Sequence, residues 1–468
     1  MIEKIKKQVE KNPNKIFYKN NNNFITYLEL WKQASFYSKY LKKQGDSPVI
    51  IYGNKEAFVV ISMVACLLAN RSYVPVAMFT PLDRLKKIIK LTKSTLIISK
   101  QNLIIDNIHC CTLEKLHQFD KENIKNVFNN QIAYIIFTSG STGEPKGVPI
   151  SYSNLNNFVN WISNLKALKY LNNINVLNQA SFSFDLSVAD FYYSLCNGHT
   201  LISFNDINDY NNIFDVIKRE KINLVVITPT FMKMLLINKE FNEINFPDFK
   251  YVYFCGEQLE VRLVKSLFER FSNVKVINAY GPTEATSAVS AIDITKEMLN
   301  NNLLPVGEIK NFATNIEILN DEIVLSGDSV FNGYLGLNSS AHYTINGINF
   351  YKTGDIGFIE NAMLFCKGRK DEQIKYKGYR IELNDIKNNI DNIVNVKDSI
   401  VIAKNNSGIV KGLKAYIVCD GNFDRDYIRC ELAKKLPFYM IPNSIIEIDK
   451  IPLTKNGKVD KEALKKYE

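Results

Sequence analysis

Short apolar runs ending in glycine, proline or polar loops alternate with longer apolar stretches along much of this chain, and that alternation most restricts its fold. Ile50 to Gly53 reads as the end of a buried strand, Glu56 to Asn70 as an apolar helix, Tyr73 to Val76 as a short strand, and Pro81 to Leu91 as a helix carrying Arg84. Tyr134 to Phe137, Ile222 to Thr228, Phe249 to Gly256 and the run from Val274 continue the strand signal. Such alternation implies an α/β fold of mainly parallel sheets covered by helices. Residues 303 to 370 read as a small β-structure of short strands with polar turns. From Asp371 the character changes again, to a small α+β domain of about 100 residues. The expected division is a large domain over 1–370 and a small one over 371–468.

The strand at Tyr134 empties into six consecutive Thr, Ser or Gly residues, Thr138, Ser139, Gly140, Ser141, Thr142 and Gly143, followed by Glu144, Pro145, Lys146 and Gly147. Glycines let backbone N–H groups turn toward an anion, hydroxyls add donors, and Lys146 adds a positive charge. The offset of the lysine is not that of a Walker A loop. A phosphate grip and a flexible Gly/Ser connector are both compatible with the fragment alone.

With 468 residues the chain is too long for one ordinary core, and 46 % hydrophobic with 23 % charged residues places it among soluble globular proteins. Its first residues, Met1 to Lys7, lack the apolar core of a signal peptide, and no apolar run reaches membrane-spanning length, so a cytoplasmic protein without membrane insertion is expected. The formal charge of +10 fits a phosphate-rich ligand, but the lysines are spread, which also fits a compositional habit. No aromatic-interleaved basic stretch points to nucleic acid. Eight cysteines without metal or redox spacing read as reduced and mostly buried, and no motif surrounds any of the four histidines.

Further candidates stand at strand ends, where ligands collect in open parallel sheets. Asp185 lies among Phe182, Phe184, Leu186 and Val188, and is either a helix N-cap or a receptor for a substrate ammonium. Asn278, Ala279 and Tyr280 lead into Gly281-Pro282-Thr283-Glu284. An aromatic face can carry a purine, an amide can read its edge, and a carboxylate beside a hydroxyl suits Mg2+ on a triphosphate, although the segment also reads as a plain turn. Asp355 and Arg369, each beside glycine, suit ribose hydroxyls or phosphate. Lys458 rides a Gly-containing turn near the end, where a solvated lysine is equally expected.

Taken together, Thr138 to Gly147, Asn278 to Glu284, Tyr351 to Asp355, Gly368 to Asp371, Lys377 to Glu382 and Asn456 to Lys458 resemble the ordered motifs of the adenylate-forming superfamily, from about Ile16 to Leu464. Within it, Asn178 to Val188, Phe254 to Glu257 and the run from Tyr351 through Glu382 are most similar to the D-alanine:D-alanyl carrier protein ligase subfamily. The resemblance implies ATP and Mg2+ as cofactors, D-alanine as substrate, and a phosphopantetheinylated D-alanyl carrier protein acting in trans, for teichoic acid D-alanylation. It implies that Thr138 to Lys146 hold the β,γ-phosphates, Glu284 the metal, Asn278 and Tyr280 the adenine, and Asp355 and Arg369 the ribose. Asp185 would hold the ammonium, with Leu186, Cys255 and Ser287 lining a small side-chain pocket; for Cys255 a merely structural burial remains the other reading. Lys458 would bridge the carboxylate and α-phosphate. A hinge at Asp371 would swing the small domain to present the Gly378 face for thioester formation. A stand-alone peptide-synthetase adenylation enzyme for another small amino acid is the alternative. The chain departs from the pattern at Ala77, at Ser181, and between Ile316 and Leu325, where a surface hairpin is shortened.

Overall fold

The computed structural model describes residues 1–21, 23–101, 103–112, 131–140, 144–204, 210–309, 314–371, 373–376, 378–406, 409–452, 459–460 and 463–467. The chain divides into two compact units, Met1–Met78 with Ile89–Phe137 and Gly147–Lys370, and Phe79–Ile88 with Thr138–Lys146 and Asp371–Glu468.

The larger unit contains an eight-stranded sheet in the order Ser290–Ile294, Lys275–Tyr280, Tyr251–Phe254, Leu224–Ile227, Asn175–Asn178, Thr200–Ser203, Ile16–Asn20, Asn23–Thr26. Only its two outermost pairings are antiparallel. Leu224–Ile227 is buried at every residue, as a strand covered on both faces must be. A six-stranded sheet runs in the order His109–Cys111, Leu96–Ser99, Val49–Tyr52, Tyr73–Val76, Ile132–Thr138, Lys146–Ser151, and its first four pairings are parallel. The helix Ala57–Leu68 is buried from Phe58 to Leu67, because it is apolar all round rather than along one stripe.

A third, antiparallel sheet is built on the long strand Ile348–Glu360 with Glu322–Ser326, Met363–Arg369 and His342–Ile345 beside it. The shortened segment is a hairpin, Asn315–Leu319 against Glu322–Ser326, closed by two residues. Asn320 and Asp321 have φ of 51° and 64°, the left-handed conformation that a tight hairpin turn requires and that Asn and Asp tolerate.

In the second unit the hairpin Gln373–Tyr376/Tyr379–Glu382 and a three-stranded sheet of Val396–Asn406, Ile409–Cys419 and Ser444–Glu447 accompany the helices Leu383–Asp391 and Arg425–Lys435. Ile386, Ile390, Leu413, Ile417, Leu432 and Ile445 form its core. Tyr379 stacks on Tyr439 at 3.7 Å, and Phe79 meets Phe438 edge-on at 5.2 Å. The observed architecture is the expected α/β class, with mainly parallel helix-covered sheets, a small β-structure and an α+β region after Asp371. All eight cysteines are free thiols; four are buried, three half-buried, and Cys430 is exposed. Among the described residues no helix is long and apolar enough to cross a membrane.

His199 is buried beside Tyr193, and neither ring nitrogen has a hydrogen-bond partner among the described residues. Burial, reinforced by the Lys15 charge, pushes its pKa down to about 3. The folded state therefore holds the ring neutral, whereas the unfolded chain takes up a proton near pH 6.5, so stability is lost as pH falls from there toward 3. Between pH 7 and 5 the wild type should lose about 2 kcal/mol more than His199→Phe in urea denaturation, at about 1.4 kcal/mol per pH unit. Parallel losses in both proteins would show that the folded ring accepts a proton.

Candidate active site

Three carboxylates of the larger unit, Asp355, Glu284 and Asp185, organise the candidate site. The strand Lys275–Tyr280 carries the buried residues Asn278, Ala279 and Tyr280 to its C-terminal end. Tyr280 donates its phenol to Asp355 Oδ2 at 2.6 Å, and Arg369 Nη1 donates to Asp355 Oδ1 at 2.8 Å. Burial first, and then the Asp355 charge, hold the Tyr280 phenol well above its ordinary pKa, so it stays a donor. Glu322 pairs with Ile356 while Val324 pairs with Lys352, so Thr353 to Asp355 bulge away from the strand Glu322–Ser326, whereas on the other edge Asp355 stays in the ladder directly opposite Arg369. Asn278 donates to the carbonyl of Pro305 at 2.8 Å, so part of the amide expected to face an adenine is used inside the fold.

The turn after Tyr280 gathers the other two carboxylates. Gly281 has no space for a side chain, since a Cβ would lie 2.5 Å from Ala288 Cα, and the chain doubles back there. Thr283 Oγ1 donates to Asp185 Oδ2 at 2.6 Å. Asp185 stands at the N-cap position of the helix Leu186–Asn197 but makes no side-chain cap bond, so its carboxylate meets Thr283 rather than the helix end. Glu284 is fully buried and accepts from the Tyr334 hydroxyl at 2.6 Å, with Tyr351 a further 3.3 Å from that hydroxyl. Thr286 and Ser287 follow with φ of 62° and 73°, two consecutive left-handed non-glycine residues. That conformation places the Ser287 carbonyl 3.9 Å from Cys255 Sγ, a buried thiol at the end of the strand Tyr251–Phe254. Leu186 is buried beside Asp185 in sequence.

The described residues of the Ser/Gly loop belong to the second unit, and two of them, Ser139 and Gly140, are engaged there. Ser139 Oγ donates to the carbonyl of Arg380 at 2.8 Å and accepts from Glu382 N–H at 3.0 Å. Gly140 N–H bonds the buried Asp385 carboxylate, which burial pushes above the ordinary carboxylate range and which the Arg84 charge, 3.7 Å away, pulls back down. A Cβ at Gly140 would sit 2.1 Å from the Glu144 carbonyl, so this position has no room for a side chain. Thr138 Oγ1 is buried without a hydrogen-bond partner among the described residues. Lys146 is half-buried. Asp371 accepts from Gln373 N–H at 3.3 Å, and Gly378 takes φ +83° in the hairpin. Ser141, Thr142, Gly143 and Lys458 lie outside the described residues.

Some structural supports carried no motif signal. Lys55 is buried and its ammonium donates to the carbonyls of Asn178, Gln179 and Phe204 at 2.9, 2.6 and 2.8 Å. Asn178 donates in turn to both oxygens of buried Asp190, at 3.2 and 3.0 Å. Burial lowers the lysine pKa and raises that of Asp190, while their opposite charges restrain both shifts. This cluster fixes the start of the segment leading to Asp185. Only the buried polar position of Asn178, at a strand end, could have hinted at it.

Among the described residues no group of three or more His, Cys, Asp or Glu side chains could hold a metal ion. A single carboxylate such as Glu284 nevertheless fits Mg2+, which takes most of its ligands from water and substrate phosphate.

Comparison with known proteins places the chain in a family. The AMP-binding enzyme family matches residues 5–335. The chain is 37 % identical to the D-alanine--D-alanyl carrier protein ligase of Bacillus licheniformis, with 99 % of both chains covered. It is 34 % identical to the protein of that name from Lactococcus lactis subsp. lactis, covering 100 % of this chain and 99 % of the relative. The Vibrio cholerae adenylation domain AlmE, solved with glycyl-adenosine-5'-phosphate, shares the fold at a TM-score of 0.85 and 23 % identity, covering 99 % and 97 %. PA1221, a nonribosomal peptide synthetase protein with adenylation and PCP domains, does so at 0.85 and 21 %, covering 99 % and 83 %. The class is that of adenylate-forming ligases. The chain belongs to the AMP-binding enzyme family, with full-length relatives that are ligases for D-alanyl carrier protein.

Removing the Tyr334 hydroxyl would leave Glu284 buried without that donor. Tyr334→Phe should lower adenylate formation about tenfold and raise the Mg2+ concentration for half-maximal rate, since hydrogen bonds to buried charge contribute about 1.5–3 kcal/mol. A Mg2+ titration that superposes on the wild type would show that the Tyr334 bond to Glu284 has no part in metal binding.

Proposed function

We propose that this chain activates D-alanine with ATP as D-alanyl-AMP and transfers the alanyl group to the phosphopantetheine thiol of a D-alanyl carrier protein in the cytoplasm, supplying teichoic acid D-alanylation. The observation that carries this reading is the Thr283 hydrogen bond to Asp185. It holds a carboxylate suited to a substrate ammonium against Thr283, the residue directly before Glu284, on the turn whose Ser287 carbonyl lies against Cys255. A fatty or aryl acid would offer Asp185 nothing to neutralise.

In the first half-reaction the D-alanine carboxylate attacks the α-phosphorus of ATP, an O–P bond forms, and pyrophosphate leaves. Asp185 would hold the ammonium so that the carboxylate points to the phosphate, and Asp355 with Arg369 would fix the ribose. Glu284 would hold Mg2+, which supplies charge neutralisation on the triphosphate when bound. Lys458 would stabilise the negative charge that builds between carboxylate and phosphate. In the second half-reaction the carrier thiol attacks the mixed anhydride, a thioester forms, and AMP leaves. The reading assigns rotation at Asp371 to the change between halves, withdrawing Lys458 and presenting the Gly378 face.

ATP–pyrophosphate exchange tests the substrate and the lysine together. Wild type should exchange with D-alanine well above L-alanine, and Lys458→Ala should lower the rate by about 100-fold or more, the scale of losing one preorganised stabiliser of transition-state charge. Equal or L-selective exchange, or stronger exchange with another small amino acid, would replace D-alanine with the peptide-synthetase reading.

A further inference from the structure

Glu322 is the first residue of the strand that follows the two-residue turn Asn320–Asp321, where a glutamate would ordinarily be solvated. It is instead 6 % exposed. Its Oε1 accepts from Gly354 N–H at 2.8 Å, and its Oε2 accepts from Lys370 Nζ at 2.6 Å. Lys370 N–H donates to the Gly354 carbonyl at 3.0 Å, which closes a ring of three residues. Gly354 directly precedes Asp355, and Lys370 directly follows Arg369.

From this ring we infer that Glu322 is a positioning residue for nucleotide ribose recognition, holding the Asp355–Arg369 pair in register; the inference rests on the reading that this pair meets the ribose. Two features require the clamp. Gly354 has φ +75° inside the bulge, so the ladder with Glu322–Ser326 does not hold it, and it stands just past the end of the ladder in which Asp355 faces Arg369. Asp355 also depends on donors from two different strands, Tyr280 and Arg369, so its oxygens are oriented only while the bulge and the end of Met363–Arg369 keep their spacing. Glu322 ties those two segments at the residues adjoining the pair. A carboxylate is needed because two donors converge on it, one of them cationic. Glutamine would turn an NH2 group toward one of them. The Lys370 charge offsets that of Glu322, so the buried glutamate does not compete with Asp355 for Arg369.

Calorimetry of the full chain with ATP and with 2′,3′-dideoxy-ATP tests this. Wild type should bind ATP more tightly than the dideoxy nucleotide. Glu322→Gln should weaken ATP binding about tenfold, the scale of a charge-assisted hydrogen bond, and dideoxy-ATP binding less than about twofold. Lys370→Met, at a half-exposed side chain, should show the same selective loss at about threefold, and stands in if Glu322→Gln does not fold. Equal weakening of both nucleotides, or no weakening of either, overturns the inference. A wild type that binds both nucleotides alike overturns the ribose reading and the inference with it, a result separate from the amino-acid selectivity measured by pyrophosphate exchange.

Discussion

Buried charge has to recover in hydrogen bonds and opposite charge what it loses in hydration, several kcal/mol per ion, and that requirement shapes the larger unit. Lys55 is the clearest case. Its three ammonium donors are matched by three carbonyls from the ends of two neighbouring strands, and its own carbonyl accepts from Tyr18 and Asn20. Arg71, wholly buried, similarly donates to the carbonyls of Leu41 and Ser47. Each cation joins segments far apart in sequence, so neither can be satisfied until the sheet has assembled around it.

The same requirement explains why the candidate site is built mainly from side chains held by other side chains. Asp185 meets Thr283, Glu284 meets Tyr334, and Asp355 meets Tyr280 and Arg369. Thr283 and Glu284 are sequence neighbours, so one 3-10 turn joins the group suited to an ammonium to the group suited to a phosphate-bound cation. The left-handed conformations at Thr286 and Ser287 carry strain that a buried, hydrogen-bonded setting can hold, and Thr286 Oγ1 is tied to the Ser329 carbonyl at 3.1 Å.

Much of this was legible in the chain. Strand and helix periodicities predict the parallel sheets because helix-covered strands such as Leu224–Ile227 must be apolar on both faces. The motif residues Asn278, Tyr280, Glu284 and Asp355 stand out because loops with glycine and proline interrupt apolar strands beside them. Their supports do not stand out. Lys55, Tyr334 and Glu322 look like ordinary surface residues of a lysine-rich sequence, and their roles arise from partners between 32 and more than 100 positions away. Local pattern cannot report which lysine is buried when so many are solvated. Asp185 illustrates the same limit from the other side: the sequence allows a helix cap, and only the fold brings Thr283 to it.

The Ser/Gly loop is where pattern and structure diverge most usefully. Its composition advertises donors for an anion, yet Ser139 bonds the backbone at Arg380 and Glu382, and Gly140 N–H meets the Asp385 carboxylate. A carboxylate on a glycine N–H is the same kind of interaction a phosphate would make, and at Ser139 and Gly140 these donors are already engaged. An anion entering here exchanges partners rather than adding to them, and its net binding is the difference between two sets of hydrogen bonds.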